Sequence, residues 1–129
     1  MSKPLILLIS PYKDDHFRVT DFLSHCEVEL FKSGTDALSF FEENVPYVRL
    51  ILISTMIEDM TGLELLNRFK FLNKFVRVIL FSGYGQVAEV KEVMKNGAFD
   101  YILFSEDEDR LRLSALGALE SQNLIVDSF

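Results

Sequence analysis

Carboxylates crowd three short stretches of the chain: Asp14-Asp15, Glu58-Asp59 and the run Glu106 to Asp109. Paired carboxylates of this kind could hold a hard divalent cation such as Mg²⁺, which takes carboxylate oxygens together with waters and phosphate oxygens. Asp14 and Asp15 fall at the predicted start of a helix, where capping is the expected role. The other two stretches read as a solvated charged rim. His16 and His25 are the only histidines and share one predicted helix, too few and too isolated for a metal ligand set. Cys26 has no second thiol for a disulfide or metal cluster, which fits a reducing cytoplasm better than secretion. Gly83-Tyr84-Gly85 lacks the longer Gly-Lys pattern of a phosphate loop.

The elements that must position these groups follow from the apolar pattern. Leu5 to Ile9 and Leu50 to Ile53 are unbroken apolar runs, as expected of strands buried on both faces; Val28 to Phe31, Val76 to Phe81 and Tyr101 to Phe104 complete five. Between them, apolar residues recur at helical spacing. Phe17, Val19, Phe22, Leu23 and Cys26 mark a first helix from Asp14 to Cys26, with Asp14 available as its cap. Gly34 precedes a second helix that ends before Pro46, Leu63 to Phe69 lies in a third, and Val87 to Met94 in a fourth stopped by Asn96-Gly97. A last helix runs to about Gln122, leaving Leu124 to Phe129 without a clear place.

Strict alternation of strands and helices predicts an α/β fold, a doubly wound parallel sheet with its site at the carboxyl ends of the strands. That places the functional positions after Ile9, Ile53, Phe81 and Phe104. At 129 residues the chain has the size of one domain with one core. Its formal net charge of −7 disfavours direct binding to nucleic acid or anionic membrane. No apolar stretch near the start is long enough to span a bilayer, and no membrane role is expected.

Three stretches carry a resemblance to a known family. Leu50-Ile-Leu-Ile-Ser-Thr-Met-Ile-Glu-Asp-Met-Thr-Gly-Leu-Glu-Leu-Leu66, Met94-Lys-Asn-Gly-Ala-Phe-Asp-Tyr-Ile102 and, more weakly, Ser33-Gly-Thr-Asp-Ala-Leu38 resemble the receiver (CheY-like) domains of two-component response regulators. The resemblance implies a flavodoxin-like five-stranded sheet of order 2-1-3-4-5. It also implies a site in which an acidic pair after the first strand and a phosphate-accepting Asp after the third hold Mg²⁺, while a Lys after the fifth meets the phosphoryl group. Here those positions are Ser10 and Pro11, Ser54, and Phe104. Without carboxylates at these positions, neither Mg²⁺ nor aspartyl phosphorylation is expected there. Ser82 matches the family's switch hydroxyl and Tyr101 its coupled aromatic. The family's Lys precedes a Pro with a cis bond; Phe104 precedes Ser105, so a trans bond is expected, with the Phe104 ring filling the vacated pocket.

The expected protein is therefore an atypical receiver spanning residues 1–122, with 123–129 a tail or the start of a linker. It is not an enzyme, carries no cofactor, and acts as a cytoplasmic interaction module, either alone or as the input domain of a transcriptional regulator. Its expected partner is a signalling kinase, an output domain or a second copy, met on the face of the fourth helix, fifth strand and last helix. Lys91, Lys95, Arg110, Arg112, Leu113 and Glu120 are the candidate contacts. The alternative is a phosphorylated receiver that uses a displaced acidic site or an unconventional acceptor.

Overall fold

The computed structural model describes residues 3–82, 87–103 and 108–127, with side chains omitted at 87, 108 and 122–127. Five strands, β1 (Leu5–Ile9), β2 (Glu27–Phe31), β3 (Val48–Ser54), β4 (Arg77–Ser82) and β5 (Asp100–Leu103), form one parallel sheet of order β2-β1-β3-β4-β5. Helices α1 (Lys13–Phe22), α2 (Gly34–Asn44), α3 (Gly62–Leu72), α4 (Val87–Lys95) and α5 (Glu108–Asp127) alternate with them, and a 3₁₀ turn, Val45–Tyr47, leads into β3.

Successive strand side chains point to opposite faces, so an unbroken apolar strand feeds two cores at once. Leu7, Ile9, Ile51, Ile53, Val78, Leu80 and Tyr101 pack under α2, α3 and α4 through Phe41, Leu65, Phe69 and Val93. Ile6, Leu8, Leu50, Leu52, Ile79, Phe81 and Ile102 pack under α1 and α5 through Val19, Leu111, Ala115 and Ala118. Phe41 of α2 and Phe69 of α3 meet edge to face, their ring centres 5.1 Å apart, an arrangement that favours the ring quadrupoles.

The helix boundaries differ from the sequence pattern in three places, and the strand limits shift by up to two residues. α1 begins at Lys13, with Tyr12 at its cap position, so Asp14 is an exposed residue of the first turn and does not cap the helix. It also ends at Phe22: Leu23 leaves helical geometry, and Cys26 is buried in the turn before β2. α5 continues to Asp127, beyond Gln122. The Asn96-Gly97 stop is as expected. Gly97 has φ +99°, its N–H donates to the Met94 carbonyl and the Ala98 N–H to the Val93 carbonyl, which together close the end of α4 as a Schellman motif.

Candidate functional site

The carboxyl ends of β1, β3 and β4 carry three buried serines, Ser10, Ser54 and Ser82. A buried hydroxyl must find a hydrogen-bond partner. Ser10 Oγ donates to Asp15 Oδ2 at 2.6 Å and accepts from the Tyr12 N–H at 3.1 Å, tying the end of β1 to the first turn of α1. Asp15 is thus a buried carboxylate folded back over the strand end, with the Arg18 guanidinium 4.0 Å away. Ser54 Oγ accepts from the Met56 N–H at 3.2 Å and so shapes the turn after β3. Pro11, beside Ser10, offers no side-chain ligand atom.

Glu58 and Asp59 are exposed, as a charged rim requires, but Asp59 is also bound to the start of α2. Its Oδ1 accepts from the Gly34 N–H at 3.0 Å, and its Oδ2 from the Thr35 N–H and hydroxyl, both at 2.9 Å. The first amides of a helix have no partner within it, and a carboxylate there satisfies them and the helix dipole together. Ser33, the cap residue, accepts from the Asp36 N–H on the same turn. Gly34 permits the approach, since a Cβ there would lie 2.8 Å from Met60 Sδ on the β3–α3 loop. Partial burial pushes the Asp59 carboxyl up, but the bonds from Gly34 and Thr35 outweigh this and hold it below its ordinary 3.8. A carboxyl depressed in the folded state adds stability above that value, which is lost as pH falls through the folded pKa. Asp59→Ala is therefore expected to destabilise by about 1–2 kcal/mol at neutral pH, with the difference from the parent shrinking in urea titrations repeated below pH 3.8.

Tyr101 lies inward on β5, and its phenol oxygen makes no good hydrogen bond to any described residue. Burial is the largest influence on this group and pushes its pKa above 10.0; the Glu89 carboxylate of α4 adds to the rise, while the Ser82 and Thr55 hydroxyls oppose it. A raised phenol pKa contributes stability that is complete below 10.0 and is lost above it, as the unfolded chain ionises first. Tyr101→Phe is expected to remove that alkaline loss. Because the hydroxyl is poorly satisfied, its removal should cost under about 1 kcal/mol at pH 7.

Phe104 and Ser105 lie outside the described residues, as do Gly83-Tyr84-Gly85 and residues 106 and 107 of the acidic run. On the face of α4, β5 and α5, Leu113 is 61% exposed and Met94 is also exposed. Lys91, Lys95, Arg110 and Glu120 are exposed, and Arg112 reaches Asp109 at 3.6 Å. His16 is half-buried and His25 exposed. Among the described residues no three His, Cys, Asp or Glu side chains gather as a metal site, and no helix is long and apolar enough to cross a membrane.

A doubly wound sheet of order 2-1-3-4-5, with polar groups gathered at its strand ends, defines the class of fold. Residues 17–115 match the response regulator receiver domain, and the chain belongs to that family. Over 118 residues, 82% of this chain, it is 30% identical to the transcriptional regulatory protein ZraR of Klebsiella oxytoca, and it is 27% identical over 93 residues to the regulatory protein LuxO of Vibrio vulnificus, strain YJ016. It spans about a quarter and a fifth of the length of these relatives, 26% and 20%. Its fold matches a response regulator receiver domain protein from Clostridium thermocellum with a TM-score of 0.85, covering 97% of this chain and 99% of that one at 22% identity. NtrX from Brucella abortus, crystallised in complex with ADP, matches at a TM-score of 0.84 and 26% identity, covering 99% of this chain and 29% of that one.

Proposed function

We propose that this receiver domain signals without accepting a phosphoryl group: it is an interaction module held in one state, not an enzyme. The observation that carries the reading is the engagement of the strand-end hydroxyls. Ser10 is bonded to Asp15 and Ser54 to the Met56 amide, so the positions that hold the acidic pair and the acceptor in the family carry neutral groups already committed within the chain. Among the described residues Ser54 makes no hydrogen bond to a side-chain base, and the base at Ser10 is the Asp15 carboxylate, itself tied to the Arg18 guanidinium. The inward Tyr101 is consistent with a switch element packed in one position.

In this reading the α4, β5 and α5 face, with exposed Leu113 and Met94 among Lys91, Lys95 and Glu120, meets a signalling kinase or an output domain. The names of the relatives support a place in regulated transcription, with this chain as the input domain. Asp15 favours a second reading, a displaced acidic site, because it places one buried carboxylate at the end of β1. One carboxylate already bonded to Ser10 is a poor Mg²⁺ site, which supports the first reading.

Titration with Mg²⁺ and then an acyl phosphate, followed by NMR of Tyr101 and the strand-end amides, separates the two. The expected result is no saturable shift. Saturable shifts at Ser54 and Ser82 would sink the proposal in favour of a restored site.

A further inference from the structure

An open groove of about 610 Å³ runs between α2 and α3, on the flank of the domain, and shares no residue with the three strand-end serines or with α4, β5 and α5. Leu38, Leu63, Phe71 and Leu72 give it apolar walls, while Glu42, Glu64 and Arg68 place charges of both signs on it. Phe71 is 89% exposed, more than any other large apolar side chain described. An isolated exposed ring is ordinary on a protein surface; a ring beside an apolar recess on the same face is a knob next to a hole.

We propose that the groove is a self-association surface, in which a second copy of this chain is related by a two-fold axis and each copy seats its Phe71 in the groove of the other. A two-fold interface must be self-complementary, so one patch has to carry both the knob and the hole and both signs of charge. This patch does. Glu64, Arg68 and Phe71 stand at i, i+4 and i+7 of α3 and share one helix stripe. When two α3 helices run antiparallel across the axis, setting Glu64 against Arg68 of the second copy forms the pair twice. The same register sets Phe71 opposite Thr61 of the second copy, itself part of the groove wall. With a net charge of −7 on each copy, general repulsion opposes association, so the local ion pairs also select this orientation over others.

Sedimentation equilibrium of the 129-residue chain from micromolar to millimolar concentration tests this. The expected result is a reversible dimer, weakened at least tenfold by Phe71→Asp with an unchanged circular dichroism spectrum. Arg68→Glu should weaken it as well, and Arg68→Glu combined with Glu64→Arg should regain most of the loss. Leu113→Asp, on the α4, β5 and α5 face, should leave association intact. A monomer at every concentration overturns the proposal. So does a dimer that Leu113→Asp breaks and Phe71→Asp does not, or a double charge variant that fails to recover.

Discussion

Replacing Phe69 by alanine is expected to lower the unfolding free energy by about 3–5 kcal/mol, the cost of deleting a fully buried ring and leaving a cavity that its neighbours fill only in part. Phe69 is inaccessible to solvent and stands edge to face with the equally buried Phe41, so its loss also removes the contact that fixes α3 against α2. Domains of this size hold only about 5–15 kcal/mol in total, so the variant should unfold at a much lower urea concentration. Phe71, two residues on, is the control. At 89% exposure its replacement by alanine should change the stability of the dilute protein by less than about 0.5 kcal/mol. Equal losses at the two positions would mean that α3 is rotated from the orientation described.

That contrast shows what was legible in the sequence. Helical spacing puts Leu65, Leu66 and Phe69 on one stripe of α3, and the unbroken apolar runs Leu5 to Ile9 in β1 and Leu50 to Ile53 in β3 require cover on both faces; both follow from residue order alone. The stop at Asn96-Gly97 was equally readable, because a residue with φ of +99° is nearly always glycine. The alternation of strands and helices then places Ser10, Ser54 and Ser82 at the strand ends, where all three are found buried.

The partners of the acidic residues were not legible. Asp59 satisfies amides 24 and 25 residues earlier in the chain, and no local pattern signals a cap delivered from another loop. The one available hint was the close packing of Gly34 on the Met60 loop, which needs the fold to be seen. Asp14 reads as a cap because Asp is a preferred cap residue, but the chain turns helical immediately after Tyr12, whose own side chain makes no capping bond. In the sequence Asp15 is indistinguishable from Asp14, a helix-start carboxylate suited to capping. The fold separates them: Asp14 faces solvent, and Asp15 turns in to meet Ser10.

Ser10→Asp tests that last contact and, through it, the proposed loss of phosphorylation chemistry. Ser10 is fully buried and its hydroxyl lies 2.6 Å from Asp15 Oδ2, so a carboxylate introduced there would face another with no proton between them. Two carboxylates so close cannot both ionise without cost, and the pair either takes up a proton or opens the β1–α1 turn. The variant is expected to lose about 3 kcal/mol or more at pH 7, the scale of an uncompensated buried charge. Much of this should return as pH is lowered toward 5, because a shared proton relieves the repulsion. Millimolar Mg²⁺ should also restore part of the loss in the variant while leaving the parent unchanged, since two adjacent carboxylates form the minimal protein contribution to a Mg²⁺ site. Thermal unfolding at pH 5 and pH 7, with and without Mg²⁺, reads all three effects. A variant as stable as the parent at pH 7 would show that Asp15 does not hold Ser10 in solution. Mg²⁺-dependent stabilisation of the parent itself would mean that Asp15 already serves as a cation ligand, and the phosphorylation-independent reading would fail with it.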